Sequence, residues 1–209
     1  MLGIVTGLQA EARIARRLGV ALAGGGTPDG ARRAAWALVD AGATALLSFG
    51  LAGGLDPALA AGDLVIPALI ICDGRSFTTD PAILRCDAAG TLAAEPAVVA
   101  TVAAKAALWA RTGAAAVDLE SGAVAEVAAE RGLPFAVLRA ICDPAGRNLP
   151  PTALTALDAR GAVAGWRVAR SLFNHPGDIA GLLALARDVA TARAALIRRV
   201  GQVVDADGA

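Results

Sequence analysis

The chain has 209 residues, 19 basic and 19 acidic groups for zero formal net charge, and 56% hydrophobic residues. That length suits one domain with a sizeable core, and the charge balance argues against a nucleic-acid partner, since neutralising phosphates takes a surplus of Lys and Arg. Cys72, Cys86, Cys142 and the single histidine, His175, are scattered; they form neither a zinc ligand set nor a disulfide framework, and a reducing, cytoplasmic compartment is expected.

The N-terminal MLGIVTGLQAEARIARR lacks a charged segment before its short apolar run and meets Glu11 early, unlike a signal peptide. LGIVT (2–6) reads as a buried strand, followed by a helix from about Leu8 to Leu18 with Gly19 at its end. GGGTPDG (24–30) is a loop, and Asp29 can cap a helix running to about Val39. TALLSFGLAGGL (44–55) is a strand entering a glycine-rich turn. The longest uncharged stretch, from Asp40 to Asp56, is glycine-broken and too short to span a bilayer. DLVIPALII (63–71) is another apolar strand, in which Pro67 marks a bulge or an edge.

Residues 73–95 are irregular and read as a hairpin with loops, and a helix covers about Ala97 to Ala110. Next come strand AAAV (114–117), a helix from Ser121 to Arg131 stopped by Gly132 and Pro134, and strand PFAVLRAIC (134–142). After DPAGRNLPP the chain looks helical over about 153–200. There Leu182, Leu183, Ala186, Val189, Ala190, Ile197 and Val200 recur at helical spacing among Arg187, Arg193, Arg198 and Arg199. Such a helix either packs on the sheet or offers an arginine-bearing face to a membrane. The strand–helix alternation predicts one α/β domain over 1–209 with a central sheet.

Four stretches carry chemistry. Glu11 falls three residues after Leu8, on the apolar side of the first helix, where an unpaired carboxylate is costly; the plainer reading is an acid favoured by the helix N-terminus. GGGTPDGARR combines a glycine-rich loop with Arg32 and Arg33 in the first turn of a helix, an arrangement that suits an anion but equally a solvated surface loop. SFGLAGGL ends a strand in glycines, which lets a ligand approach the backbone at the carboxyl edge of a sheet. In AVDLES, Asp118 and Glu120 share one face at a strand end and Ser121 can cap the next helix, while Asp143 ends the following strand. Each acid alone reads as a cap; the set of three at strand ends reads as a ligand crevice.

IVTGLQAEA, SFGLAGGLDPALAAGDLVIP, VDLES and AICDPAG resemble, in order and spacing, the motifs of the purine nucleoside phosphorylase and methylthioadenosine nucleosidase superfamily. The resemblance implies a three-layer α/β/α fold around a mixed sheet and cleavage of an N-glycosidic bond. It implies that Glu120 grips the ribose hydroxyls, that Asp143 serves N7 of the leaving purine, and that Glu11 positions or deprotonates a water. Gly24, Gly25 and Gly26, with Arg32 nearby, fall where phosphorylases bind phosphate. Ala52, Gly53, Asp118 and Leu119 would line the base and sugar pocket, with Phe77 as the candidate for stacking on the base. No metal or cofactor is implied beyond inorganic phosphate as a co-substrate. Bond cleavage builds oxocarbenium character on the sugar and negative charge on the base, so an acid at N7 and carboxylates by the ribose both help. To donate at neutral pH, Asp143 must stay protonated, which is expected to need burial away from cations.

Along nearly the whole chain, TVAAKAALWARTGAAAVDLES and LFNHPGDIAGLLALARDVATARAALIRR resemble hopanoid-associated phosphorylases, which implies removal of adenine from adenosylhopane by phosphorolysis, or else by hydrolysis. The same resemblance leads to the expectation of a homodimer that meets its lipid-linked substrate at the inner face of the membrane. A nucleosidase of a small nucleoside such as methylthioadenosine, or a non-catalytic nucleoside-binding protein, are the competing readings.

Overall fold

A computed structural model describes residues 1–154 and 179–206. The expected helical region at about 153–200 therefore lies partly outside the described residues. Nine strands form one mixed sheet: β1 Leu2–Thr6, β2 Val20–Ala23, β3 Ala45–Gly54, β4 Leu64–Val65, β5 Leu69–Cys72, β6 Arg75–Thr78, β7 Thr91–Ala94, β8 Ala116–Asp118 and β9 Phe135–Asp143. The main path runs β2-β1-β3-β8-β7-β5-β6, and β9 pairs with β3 and β4. The helices are α1 Gln9–Ala15, α2 Pro28–Asp40, α3 Val102–Thr112, α4 Ser121–Arg131, the short α5 Pro151–Leu154 and α6 Ile179–Asp205.

Alternation along the central strands sends successive side chains to opposite faces. Val5, Leu46, Val137 and Ile141 join α2 and α4 in one core cluster. Ile4, Leu47, Phe49, Leu138 and Ala140 join α1 and α6 in another. Two helical layers thus enclose the sheet, the expected α/β/α arrangement. On α6, Ala192, Leu196, Val200 and Val203 are buried, so the plainer of its two readings describes the second half of this helix.

Several local expectations need correction. The first helix stops at Ala15 rather than Leu18, and β2, which was not expected, follows within five residues as a short strand with exposed Val20 and Leu22. Thr27, not Asp29, caps α2, its hydroxyl accepting from the Gly30 amide. The glycines after Phe49 are strand rather than turn, and Pro67 separates two strands, β4 and β5, instead of bending one.

Two departures from regular pairing shape the site. On one edge β3 pairs with β1 through Ala45–Phe49 and with β8 through Gly53 and Gly54, so residues 50–52 have no strand partner there. On the other edge, the register with β9 slips between Ala52 and Gly53, a bulge that sets Asp143 opposite Gly53.

Candidate active site

Side chains fill the gap in β3. The Leu51 amide donates to Glu11 Oε1 at 3.0 Å, and the Leu51 carbonyl accepts from Arg139 Nη1 at 3.3 Å. The other Glu11 oxygen accepts from the Leu8 amide at 2.7 Å, which caps α1. Both readings of Glu11 therefore meet in one residue: it caps its helix and it is buried in the sheet. Gly50 makes this meeting possible. Its φ of +152° disfavours other residues, and a Cβ there would lie 2.8 Å from both Arg139 Nη1 and Glu11 Oε2.

Arg139 is the hub. Its Nη2 forms a close ion pair with Asp118 and reaches Glu120 Oε2 at 3.2 Å, Ser48 Oγ at 2.7 Å and Ser121 Oγ at 3.3 Å. Asp118 also accepts from the Ser121 amide, so the acid, rather than Ser121, satisfies the start of α4. Three buried carboxylates, Glu11, Asp118 and Glu120, surround this one guanidinium. Burial outweighs the attraction of Arg139 and raises Glu120 to about 7, with Asp118 and Glu11 adding to the rise. Burial likewise raises Glu11 against the pull of Arg139 and two amides.

Asp143 is buried beyond the bulge, but not away from cations as expected: Lys105 Nζ lies 2.7 Å from its Oδ2. Burial still holds Asp143 above its ordinary range, with Lys105 and Arg147 working to lower it. Glu120 follows β8 and Asp143 ends β9, which are not neighbours in the sheet. Instead β8 and β9 flank the glycine end of β3, with Gly53 opposite both Val117 and Asp143.

Residues 11–85 and 84–165 match the Phosphorylase superfamily, a span that contains Glu11, Asp118, Glu120, Arg139 and Asp143. The chain belongs to the Phosphorylase superfamily. It is an enzyme of the phosphorylase and nucleosidase kind. No curated protein matches the sequence. Its fold is similar to that of the 5′-methylthioadenosine/S-adenosylhomocysteine nucleosidase from Neisseria meningitidis in complex with methylthio-immucillin-A, at 17% identity and a TM-score of 0.69 over 98% of each chain. It is also similar to the S-adenosylhomocysteine nucleosidase from Streptococcus pyogenes (18% identity, TM-score 0.63, 90% of this chain and 95% of that one). A futalosine hydrolase mutant of Helicobacter pylori is a third such structure (19%, TM-score 0.62, 70% and 89%). At these identities the likeness is one of fold.

Other predicted site residues of this phosphorylase-superfamily chain fall as follows. Ala52 is buried in β3, and a Cβ on Gly53 would stand 3.8 Å from Asp143 Oδ2, so Gly53 borders that acid. Leu119 and Arg32 line a separate small cavity with Cys72, Gly122 and Glu126. Arg32 is paired there with Glu126, and the amides of Gly24 and Gly25 donate to the Thr6 and Gly7 carbonyls. These groups are thus already partnered within the chain, while Gly26 follows at the loop tip with φ +72°. Phe77 sits on the edge strand β6 with the Arg75 guanidinium 4.8 Å over its ring.

Sequence reasoning missed Arg139, Lys105 and Ser48. Arg139 had a signal, a lone charge inside the apolar run PFAVLRAIC, and Lys105 had another, as the single lysine of the chain. Ser48 had none. Among the described residues no helix is long and apolar enough to cross a membrane.

Proposed function

We propose that this enzyme cleaves the N-glycosidic bond of adenosylhopane, releasing adenine, with water as the nucleophile. The observation that carries the reading is the excess of buried carboxylate: Glu11, Asp118 and Glu120 around the guanidinium of Arg139, with Arg193 as a second, lesser cation toward Glu11. A dry site with surplus negative charge complements a sugar that becomes cationic in the transition state. The same surplus repels an incoming phosphate dianion. The partnered state of Arg32 and of the Gly24 and Gly25 amides points the same way. Phosphate, the first nucleophile that the family resemblance implies, is therefore the less supported one.

In this mechanism Glu120 accepts hydrogen bonds from the ribose hydroxyls. Glu11 orients the water and takes its proton as the sugar carbon becomes electrophilic. Asp143, across Gly53, serves the departing base. Arg139 holds Glu120 and Asp118 in place and keeps β3 joined to the cluster through Leu51. The adenosylhopane assignment rests on the sequence resemblance. The exposure of Ile179 and Leu183, one turn apart at the start of α6, adds an apolar edge suited to a lipid surface.

A second reading, hydrolysis of a soluble nucleoside such as methylthioadenosine, is favoured by the fold shared with the nucleosidase in complex with methylthio-immucillin-A. The test is adenine release from adenosylhopane and from methylthioadenosine, each with and without phosphate. Release from adenosylhopane that phosphate does not accelerate is expected. A strict need for phosphate overturns the water reading, preference for methylthioadenosine supports the second substrate, and inert behaviour toward both overturns the enzyme assignment.

A further inference from the structure

Every cationic side chain of this protein except one is an arginine. The exception, Lys105, is 0% exposed. Burying an ammonium group is expensive unless it is paired and hydrogen-bonded throughout, and Lys105 is: its Nζ lies 2.7 Å from Asp143 Oδ2, 3.0 Å from the Pro144 carbonyl and 2.9 Å from the Arg147 carbonyl. The Asp143 carbonyl is a weaker fourth acceptor at 3.4 Å. The same loop is laced to the start of α3 by the Val102 amide on Asn148 Oδ1 and by the Leu149 amide on the Ala100 carbonyl.

An arginine would supply more donors for such loop carbonyls, but its guanidinium does not release a proton, whereas a lysine can. That difference matters only if the proton moves. We propose that Lys105 is a positioning residue that orients Asp143 and stores the proton which Asp143 passes to the leaving base. The inference rests on the N-glycosidic reading above. As the bond between the sugar carbon and the base nitrogen breaks, its electron pair stays on the base. Lys105 Nζ first passes a proton to Asp143 Oδ2, which leaves a neutral amine beside a neutral carboxylic acid. The base then takes that acid's proton, so that Asp143 ends as the carboxylate it began. Solvent returns the proton of the amine after the products leave. Net charge is conserved at each transfer.

The groups facing the pair are few. Cys142 adjoins Asp143 on β9, and burial together with Asp143 pushes its thiol up to about 12, so it is no acid for this step. Arg147, on the loop, lowers Asp143 and is itself paired with Asp188 of α6. Burial keeps Asp143 above its usual range in spite of both cations, which eases the transfer onto it.

The test is the pH dependence of adenine release by the full-length protein and its Lys105→Met and Lys105→Arg variants. Without Lys105, Asp143 delivers a proton only when it has drawn one from solvent. Both variants should therefore trail the native enzyme by roughly 10²-fold at about pH 8, the range expected for a displaced general acid, and recover toward it as the pH falls. Lys105→Arg keeps the positive charge, so it remains informative if Lys105→Met fails to fold. A deficit that is constant across pH, or native activity of Lys105→Arg at about pH 8, would show that the lysine merely braces the loop and overturns the proposal. Absence of adenine release by the native enzyme at every pH overturns the N-glycosidic reading itself, and the two failures are distinct.

Discussion

Replacing Arg139 by methionine removes the cation that three carboxylates share while keeping an unbranched side chain of similar length. Its Nη2 leaves Asp118, Glu120, Ser48 and Ser121, and its Nη1 leaves the Leu51 carbonyl. Breaking a buried ion pair from one side costs about 3–5 kcal/mol, chiefly through the charge left unpaired. Orphaning the Leu51 carbonyl adds about 1–3 kcal/mol. At pH 8 the variant should therefore lose roughly 4–8 kcal/mol, a large share of a typical domain's stability. Acid relieves part of this, because Glu120, raised by burial to about 7, then enters the folded state neutral. Urea unfolding of both proteins at pH 5 and pH 8 gives the two differences. A loss below about 1 kcal/mol at pH 8, or equal losses at both pH values, would refute the hub role of Arg139.

Glu120→Gln should lower kcat/KM for a ribonucleoside by an amount near the roughly 1.5–3 kcal/mol of a charge-assisted hydrogen bond, and lower it less for the 2′-deoxy analogue; equal losses would make Glu120 structural. Gly50→Ala should abolish turnover and destabilise the fold, since its Cβ would press on Arg139 and Glu11 at 2.8 Å, and circular dichroism melting checks this. Because burial raises Glu120 to about 7, its contribution to stability is complete below the ordinary carboxylate range and is lost as pH rises through about 7. Ribose binding needs the ionised form, so the acid limb of kcat/KM should fall near the same pH and disappear in Glu120→Gln.

The layer architecture was legible because the apolar runs LGIVT and PFAVLRAIC, and the stop at Gly132 after Ser121–Arg131, are local signals that tertiary packing did not override. The three acids were legible for the same reason: charge ending an apolar run is visible without a structure. What joins them was not. The gap in β3 arises from the arrival of β8 from a distant part of the chain, and no property of SFGLAGGL announces it. Lys105 lies 38 residues before Asp143, so its pairing depends on how α3 docks beside β9. Arg75 and Phe77 lie two residues apart on β6, so the cation over the ring follows from the spacing of one strand face.

The gap in β3 has a consequence for how this enzyme can be watched. At Leu51 the backbone amide donates to the Glu11 side chain, where a neighbouring strand would ordinarily offer a carbonyl. Deuterium uptake at that one position therefore reports a side-chain event. It should be slow while Glu11 is docked, quicken in Glu11→Ala, and slow further when a ligand seals the crevice. Amides two residues along, where Gly53 and Gly54 pair with β8, should be indifferent to Glu11. A local exchange measurement, made without any substrate turnover, would thus follow the docking of Glu11 in real time.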